Sequence, residues 1–136
     1  MPGQLKTPLS YALLIIGLAF IFAIKPSMEL WPSGWRWGPS HPEYEQMVLG
    51  IYATLGVFLA LASRDPAGHR SLILFAAWSS LVHAGIMLIY ANKDTAQAGH
   101  LLGDVPAFGL VGLVLLVMSS ETKPRRSKSR RRGSSR

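Results

Sequence analysis

His83 and Asp104 stand inside apolar stretches of this chain, and their chemistry needs explaining first. An ionisable side chain within an apolar run is expensive to place, so it turns toward a protein interior or a water-filled cavity and marks a site by default. An imidazole exchanges its proton near neutrality, and a carboxylate can accept hydrogen bonds, hold a cation or take up a proton. At helical spacing, Ser80, His83, Met87 and Tyr90 share one face, and His100 lies one turn before Asp104. His41, Glu43 and Glu45 fall near the start of another apolar run, at the same level. The expected site is therefore a polar pocket drawing on His83, Asp104, His100, Tyr90 and Glu45.

Three readings compete. In the first, His83 and Asp104 hydrogen-bond to each other and to Tyr or Ser hydroxyls, fixing helix register without doing chemistry. In the second, His83 serves a proton relay or a small-ligand pocket. The third is a metal site drawn from His41, His83, His100, Glu45 and Asp104, but no paired-histidine spacing supports it. No metal or other cofactor is implied.

The elements that must position these residues follow from four runs free of Lys and Arg: Leu9 to Ile24, Met47 to Ala62, Ser71 to Tyr90 and Leu101 to Met118. About 20 helical residues cross a hydrocarbon core of ~30 Å. The last two runs suffice alone. Thr7-Pro8 extends the first as N-cap and first helical position, and Ser40-His41-Pro42-Glu43 extends the second as a capping box. Arg64 to Arg70 reads as a tight turn with Asp65 capping and Pro66 opening the third helix, which makes helices two and three an antiparallel hairpin. The expected fold is an all-α bundle of four transmembrane helices, over about 8–25, 42–63, 66–91 and 97–119, forming one domain over 1–120. Pro106 is expected to kink the fourth helix. Gly50 with Thr54, Gly56 with Ala60, Gly103 with Ala107 and Gly109 with Gly112 are the small-residue packing sites. A cleaved signal peptide is the alternative for the first run, but Ala23-Ile24-Lys25-Pro26 is a poor cleavage sequence.

Composition agrees: of 136 residues, 49% are hydrophobic and only 15% charged. There is no cysteine, which excludes thiol catalysis, disulfides and iron–sulfur clusters. A membrane cytochrome needs several intramembrane histidines, whereas His83 alone lies deep in a run. A small multidrug exporter needs an acid in its first helix, and Leu9 to Ile24 has none.

The net charge of +7 sits entirely in a tail, 121–136. That segment lacks the apolar residues to build a core and is expected to be disordered, with Arg125, Arg126, Lys128, Arg130, Arg131 and Arg132 against anionic lipid headgroups. Phosphorylation at Ser127 or Ser129 has no specific support, and nucleic acid is not the expected partner. With both termini inside, eleven Lys and Arg face the cytoplasm against Lys25, Arg36 and Lys93 outside, so the topology is N-in and C-in. His83 and Asp104 then lie roughly 4 and 8 Å beyond the midplane on the outer side. Trp31, Trp35 and Trp37, interleaved with Pro and Gly, suit the outer interface.

Gly50 through Arg64-Asp65-Pro66, His69-Arg70-Ser71-Leu72-Ile73, Trp78-Ser79-Ser80 with His83-Ala84, and Gly99-His100 through Gly103-Asp104-Val105-Pro106 resemble a bacterial family of small four-helix integral membrane proteins without an assigned function. The resemblance covers roughly residues 45–118, and the layout is more distantly similar to DoxX-like membrane proteins. It implies the fold and a cell inner membrane location, and it supplies no activity. The functional expectation is a non-enzymatic membrane component or partner subunit, in contact with the bilayer and with a membrane-protein partner or second copy. The alternative is an outward-facing small-ligand, proton or metal site on His83 and Asp104.

Overall fold

The computed structural model describes residues 7–36 and 41–121, and these are helical with no strand among them. The order is α1 (Pro8–Phe22), α2 (Ile24–Leu30), α3 (Pro32–Trp35), α4 (Pro42–Ala62), α5 (Arg70–Lys93), a 3-10 helix (Thr95–Leu101) and α6 (Asp104–Ser120). Among the described residues three spans are long and apolar enough to cross a membrane: Pro42–Ala62, Arg70–Lys93 and the combined Thr95–Ser120. A fourth exists if α1 and α2 count as one span across a 51° bend. The basic tail lies outside the described residues.

Local chemistry accounts for where the helices start and break. Thr7 caps α1, its hydroxyl accepting from the Ser10 amide at 3.2 Å, and Pro8 takes the first helical position. The expected helix over 8–25 ends instead at Phe22. Pro26 is the cause: it has no amide to offer the Phe22 carbonyl four residues back, and its ring crowds that carbonyl. Ser27 restores the ladder beyond the joint, giving its amide and hydroxyl to the Ala23 carbonyl at 3.0 and 2.8 Å.

The third helix starts at Arg70 rather than Pro66. Pro66 occupies the second position of a turn in which the Gly68 amide reaches the Asp65 carbonyl at 3.2 Å and its carboxylate at 3.3 Å. His69 then bonds back to Asp65 and Pro66, which uses up the residues that would have formed a first helical turn. At α4 the chain enters through extended His41, whose side chain makes no capping hydrogen bond; Ser40, the other half of the expected capping box, lies outside the described residues. The last span begins as a 3-10 helix and becomes α-helical at Asp104, so Pro106 falls in the first α turn, where a missing amide costs nothing, and the break sits before it at Gly103.

Two close-packed pairs make the bundle, α1 with α4 and α5 with α6, and α1 also touches α6. The arms of the expected hairpin, α4 and α5, make little contact with each other. Gly17 and Gly56 explain the first pair: a Cβ on Gly17 would lie 2.6 Å from the Gly56 carbonyl oxygen, and one on Gly56 2.5 Å from that of Gly17. At this crossing the two backbones meet directly, as small residues permit in membrane helices. Gly112 does the same against Leu81 and Ala77 in the second pair, whereas Gly50 has nothing within 4 Å of a Cβ position. At the end formed by α2, α3 and the 3-10 helix, Gly103 lies against the Gly34 backbone and Gly99 against Ser33.

The buried core includes Leu13, Phe20, Leu59, Ile73, Phe108 and Leu115. Large apolar side chains also cover the outside, with Ile15, Phe22, Ile51, Phe75 and Leu110 each more than 60% exposed. An apolar exterior around helices that satisfy their own backbone hydrogen bonds suits hydrocarbon as the surrounding solvent.

Candidate functional site

α4, α5 and α6 bring three polar side chains to one place near the end of the bundle that holds α2, α3 and the 3-10 helix. Tyr52 comes from the middle of α4, His83 from the middle of α5 and Asp104 from the start of α6. The Tyr52 hydroxyl lies 2.8 Å from His83 Nδ1. His83 Nε2 lies 3.7 Å from Asp104 Oδ2, too far for a hydrogen bond. The other carboxylate oxygen, Oδ1, accepts from His100 Nδ1 at 2.9 Å. Asp104 and His100 are both buried, and His83 is half-buried.

Aromatic rings fix this chain of groups. Phe108, one turn after Asp104 on α6, lies with its ring centroid 4.1 Å from that of His83 and 5.1 Å from that of Tyr52. Phe20 of α1 and Trp35 of α3 close around Phe108 at 5.8 and 6.3 Å. Tyr52 meets the imidazole edge-on and Phe108 lies tilted against it by 36°, while Phe20 and Trp35 back Phe108.

Beside the cluster is a cavity of about 470 Å³. Most of its wall is apolar, with Ile24, Met28, Val48, Met87 and Phe108 among the residues that form it, and Tyr52, His83 and Asp104 make a polar corner. Arg36 and Glu45 stand on the same wall and pair at 2.8 Å. A small pocket of this size with few convergent polar groups has the general form of a ligand site.

Of the residues read from the sequence, His83, Asp104 and His100 come together and Glu45 shares their cavity, although its carboxylate is taken by Arg36. Tyr90 does not line the cavity; more than half of it is exposed and the Lys93 ammonium lies 5.9 Å from its ring centre. Exposed His41 stands 4.0 Å from Glu43, with no contact to the buried cluster. Among the described residues no group of three or more His, Asp or Glu is arranged so that it could hold a metal ion. The two Asp104 oxygens face different histidines. Tyr52, Phe108 and Arg36 are the contributors that sequence reasoning missed. Tyr52 could have been found, because a hydroxyl in the middle of an apolar run needs a partner.

Helical throughout its described elements, with three to four helices among those residues long and apolar enough to cross a membrane and with a buried polar cluster, the chain falls in the class of small apolar helical bundles. The chain belongs to DUF6632, a family of unknown function, whose model matches residues 5–135. No curated protein and no solved structure matches the chain.

Proposed function

We propose that this is a non-enzymatic four-span protein of a bacterial inner membrane that binds a small, largely apolar molecule in the cavity beside Tyr52, His83 and Asp104. The observation that carries this reading is the cavity of about 470 Å³, apolar over most of its wall and polar at one corner. A pair whose only role is to set helix register needs no adjoining space. The cavity favours the ligand reading of His83 and Asp104 over the structural one for that reason. Four spans require the bent α1–α2 pair to cross as one unit. Both termini then face the cytoplasm, with the basic tail on anionic headgroups and the cavity at the outer end, a placement supported by the distribution of Lys and Arg.

Trp35 lines the cavity and reports on it. The test uses 12-bromododecyl probes ending in a hydroxyl, a methyl ether, a carboxylate or an ammonium, added to the full chain in bilayer discs while tryptophan fluorescence is followed. Trp78, which is 59% exposed, is quenched in proportion to probe in the lipid. Occupation of the cavity adds a component that saturates for at least one probe and is lost in Val48→Phe with Met87→Phe, which fills the space. If no probe gives a saturable component, the ligand-binding reading is wrong.

A further inference from the structure

Resting on that reading, we infer that the ligand's polar end is a hydroxyl, received between His83 Nε2 and Asp104 Oδ2. The Tyr52 hydroxyl makes its hydrogen bond, among the described residues, with His83 Nδ1 at 2.8 Å. A hydroxyl hydrogen buried without an acceptor is costly, so Tyr52 donates and Nδ1 accepts. Neutral imidazole carries one hydrogen, and it is therefore on Nε2. Nε2 is buried and meets no hydrogen-bond partner among the described residues. Across from it stands Asp104 Oδ2 at 3.7 Å, while Oδ1 is already used by His100 Nδ1.

The cavity corner thus presents one donor and one acceptor, separated by more than a hydrogen bond and less than two. One oxygen placed roughly 2.8 Å from each atom satisfies both, accepting from Nε2–H and donating to Oδ2. Only an O–H group does both jobs with one atom. A methyl ether accepts but leaves the carboxylate without a donor. A carboxylate brings a second anion against Asp104, and an ammonium sets N–H against N–H at His83. The shared chemistry is that of an alcohol, a phenol or a water molecule, and the apolar wall around the corner selects an alcohol or phenol with a hydrocarbon body.

Tyr52 is a positioning residue in this arrangement, acting through the imidazole. Its loss should alter the preference between head groups rather than the capacity to bind. The four bromododecyl probes test this with the full chain in bilayer discs, read as the probe fraction that half-saturates Trp35 quenching. The hydroxyl probe is expected to bind about tenfold or more tighter than its methyl ether, since a site built to hydrogen-bond a hydroxyl rejects the analogue without it. The carboxylate and ammonium probes are expected to be weaker than the hydroxyl. In Tyr52→Phe, which keeps the ring among Phe20, His83 and Phe108, the hydroxyl-to-ether ratio should fall to about threefold or less while binding persists. Equal binding of hydroxyl and ether, as a resident water at the corner would give, overturns the hydroxyl assignment and leaves the cavity reading standing. So does preference for the ammonium, or an unchanged ratio in Tyr52→Phe. Absence of saturable quenching by all four probes defeats the cavity reading itself, and the assignment falls with it.

Discussion

Asp104 divides its carboxylate between two histidines, and the division is unequal: Oδ1 bonds to His100 Nδ1 at 2.9 Å, whereas Oδ2 stands 3.7 Å from His83 Nε2. A direct hydrogen bond between buried groups stabilises a membrane bundle by about 0.6 kcal/mol on average and about 1.7 at most. A charge–dipole contact beyond hydrogen-bond reach contributes less. A double-mutant cycle on His100→Leu and Asp104→Leu, followed by unfolding in bilayer discs, should therefore give a coupling of about 1 kcal/mol. The matching cycle on His83→Leu and Asp104→Leu should stay below about 0.5 kcal/mol. A larger coupling for His83 would mean that it is a structural partner of Asp104 and not the free donor of a binding corner. These two residues were legible in the sequence because ionisable groups stand out against apolar runs. Tyr52 was legible only as a mid-run hydroxyl in need of a partner, and tyrosine otherwise passes for one more aromatic in a membrane helix. A pocket was expected at these residues, but its largely apolar wall was not legible, because what lines a space depends on how helices are paired.

Helix pairing is decided by close backbone approach, and here the sequence offered too many candidates. Gly50, Gly56, Gly103 and Gly109 all head small-residue pairs, yet it is Gly17, alone in its run, that meets Gly56 at the α1–α4 crossing. The spans themselves were legible from run length, and Pro26 held the signal for the bend at Phe22, but the partner of each helix was not encoded in any local pattern. In the proposed bilayer setting apolar side chains gain little by leaving the solvent, and contact at the glycines contributes much of the preference for this pairing. Gly56→Leu should separate α1 from α4 and cost about 2 kcal/mol, in the range of overpacked cores. Gly50→Ala, on the same helix with open space at its Cβ, should cost close to nothing. Unfolding of both variants in bilayer discs checks the pair, and equal losses would show that the crossing is not where α1 and α4 are specified. Gly56→Leu should also weaken saturable quenching of Trp35, because Phe20, two residues short of the end of α1, packs edge-on against Tyr52 at 5.3 Å.

Over the whole molecule, in the proposed topology, the cytoplasmic side carries eleven Lys and Arg against three outside, and eight of the eleven belong to the tail. Removing everything after Glu121 takes away all eight basic residues of that segment, and the proposed topology then sets Lys6, Arg64 and Arg70 inside against Lys25, Arg36 and Lys93 outside. Three against three gives the positive-inside rule nothing to act on, and a balanced chain inserts in both directions. The absence of cysteine makes this easy to read, since any introduced thiol is unique. Thr95→Cys sits just past α5 at the cavity end and Ser71→Cys at the opposite end of α5, and both positions are exposed. In intact cells a membrane-impermeant maleimide should label Thr95→Cys and spare Ser71→Cys in the full chain. After truncation both should be labelled, each in only part of the population. If the truncated chain keeps the single-sided pattern, orientation is set by the hydrophobic segments themselves, and the tail's basic residues act only on the lipid surface. If Ser71→Cys is the labelled position in the full chain, the cavity opens toward the cytoplasm and its ligand would be drawn from that side.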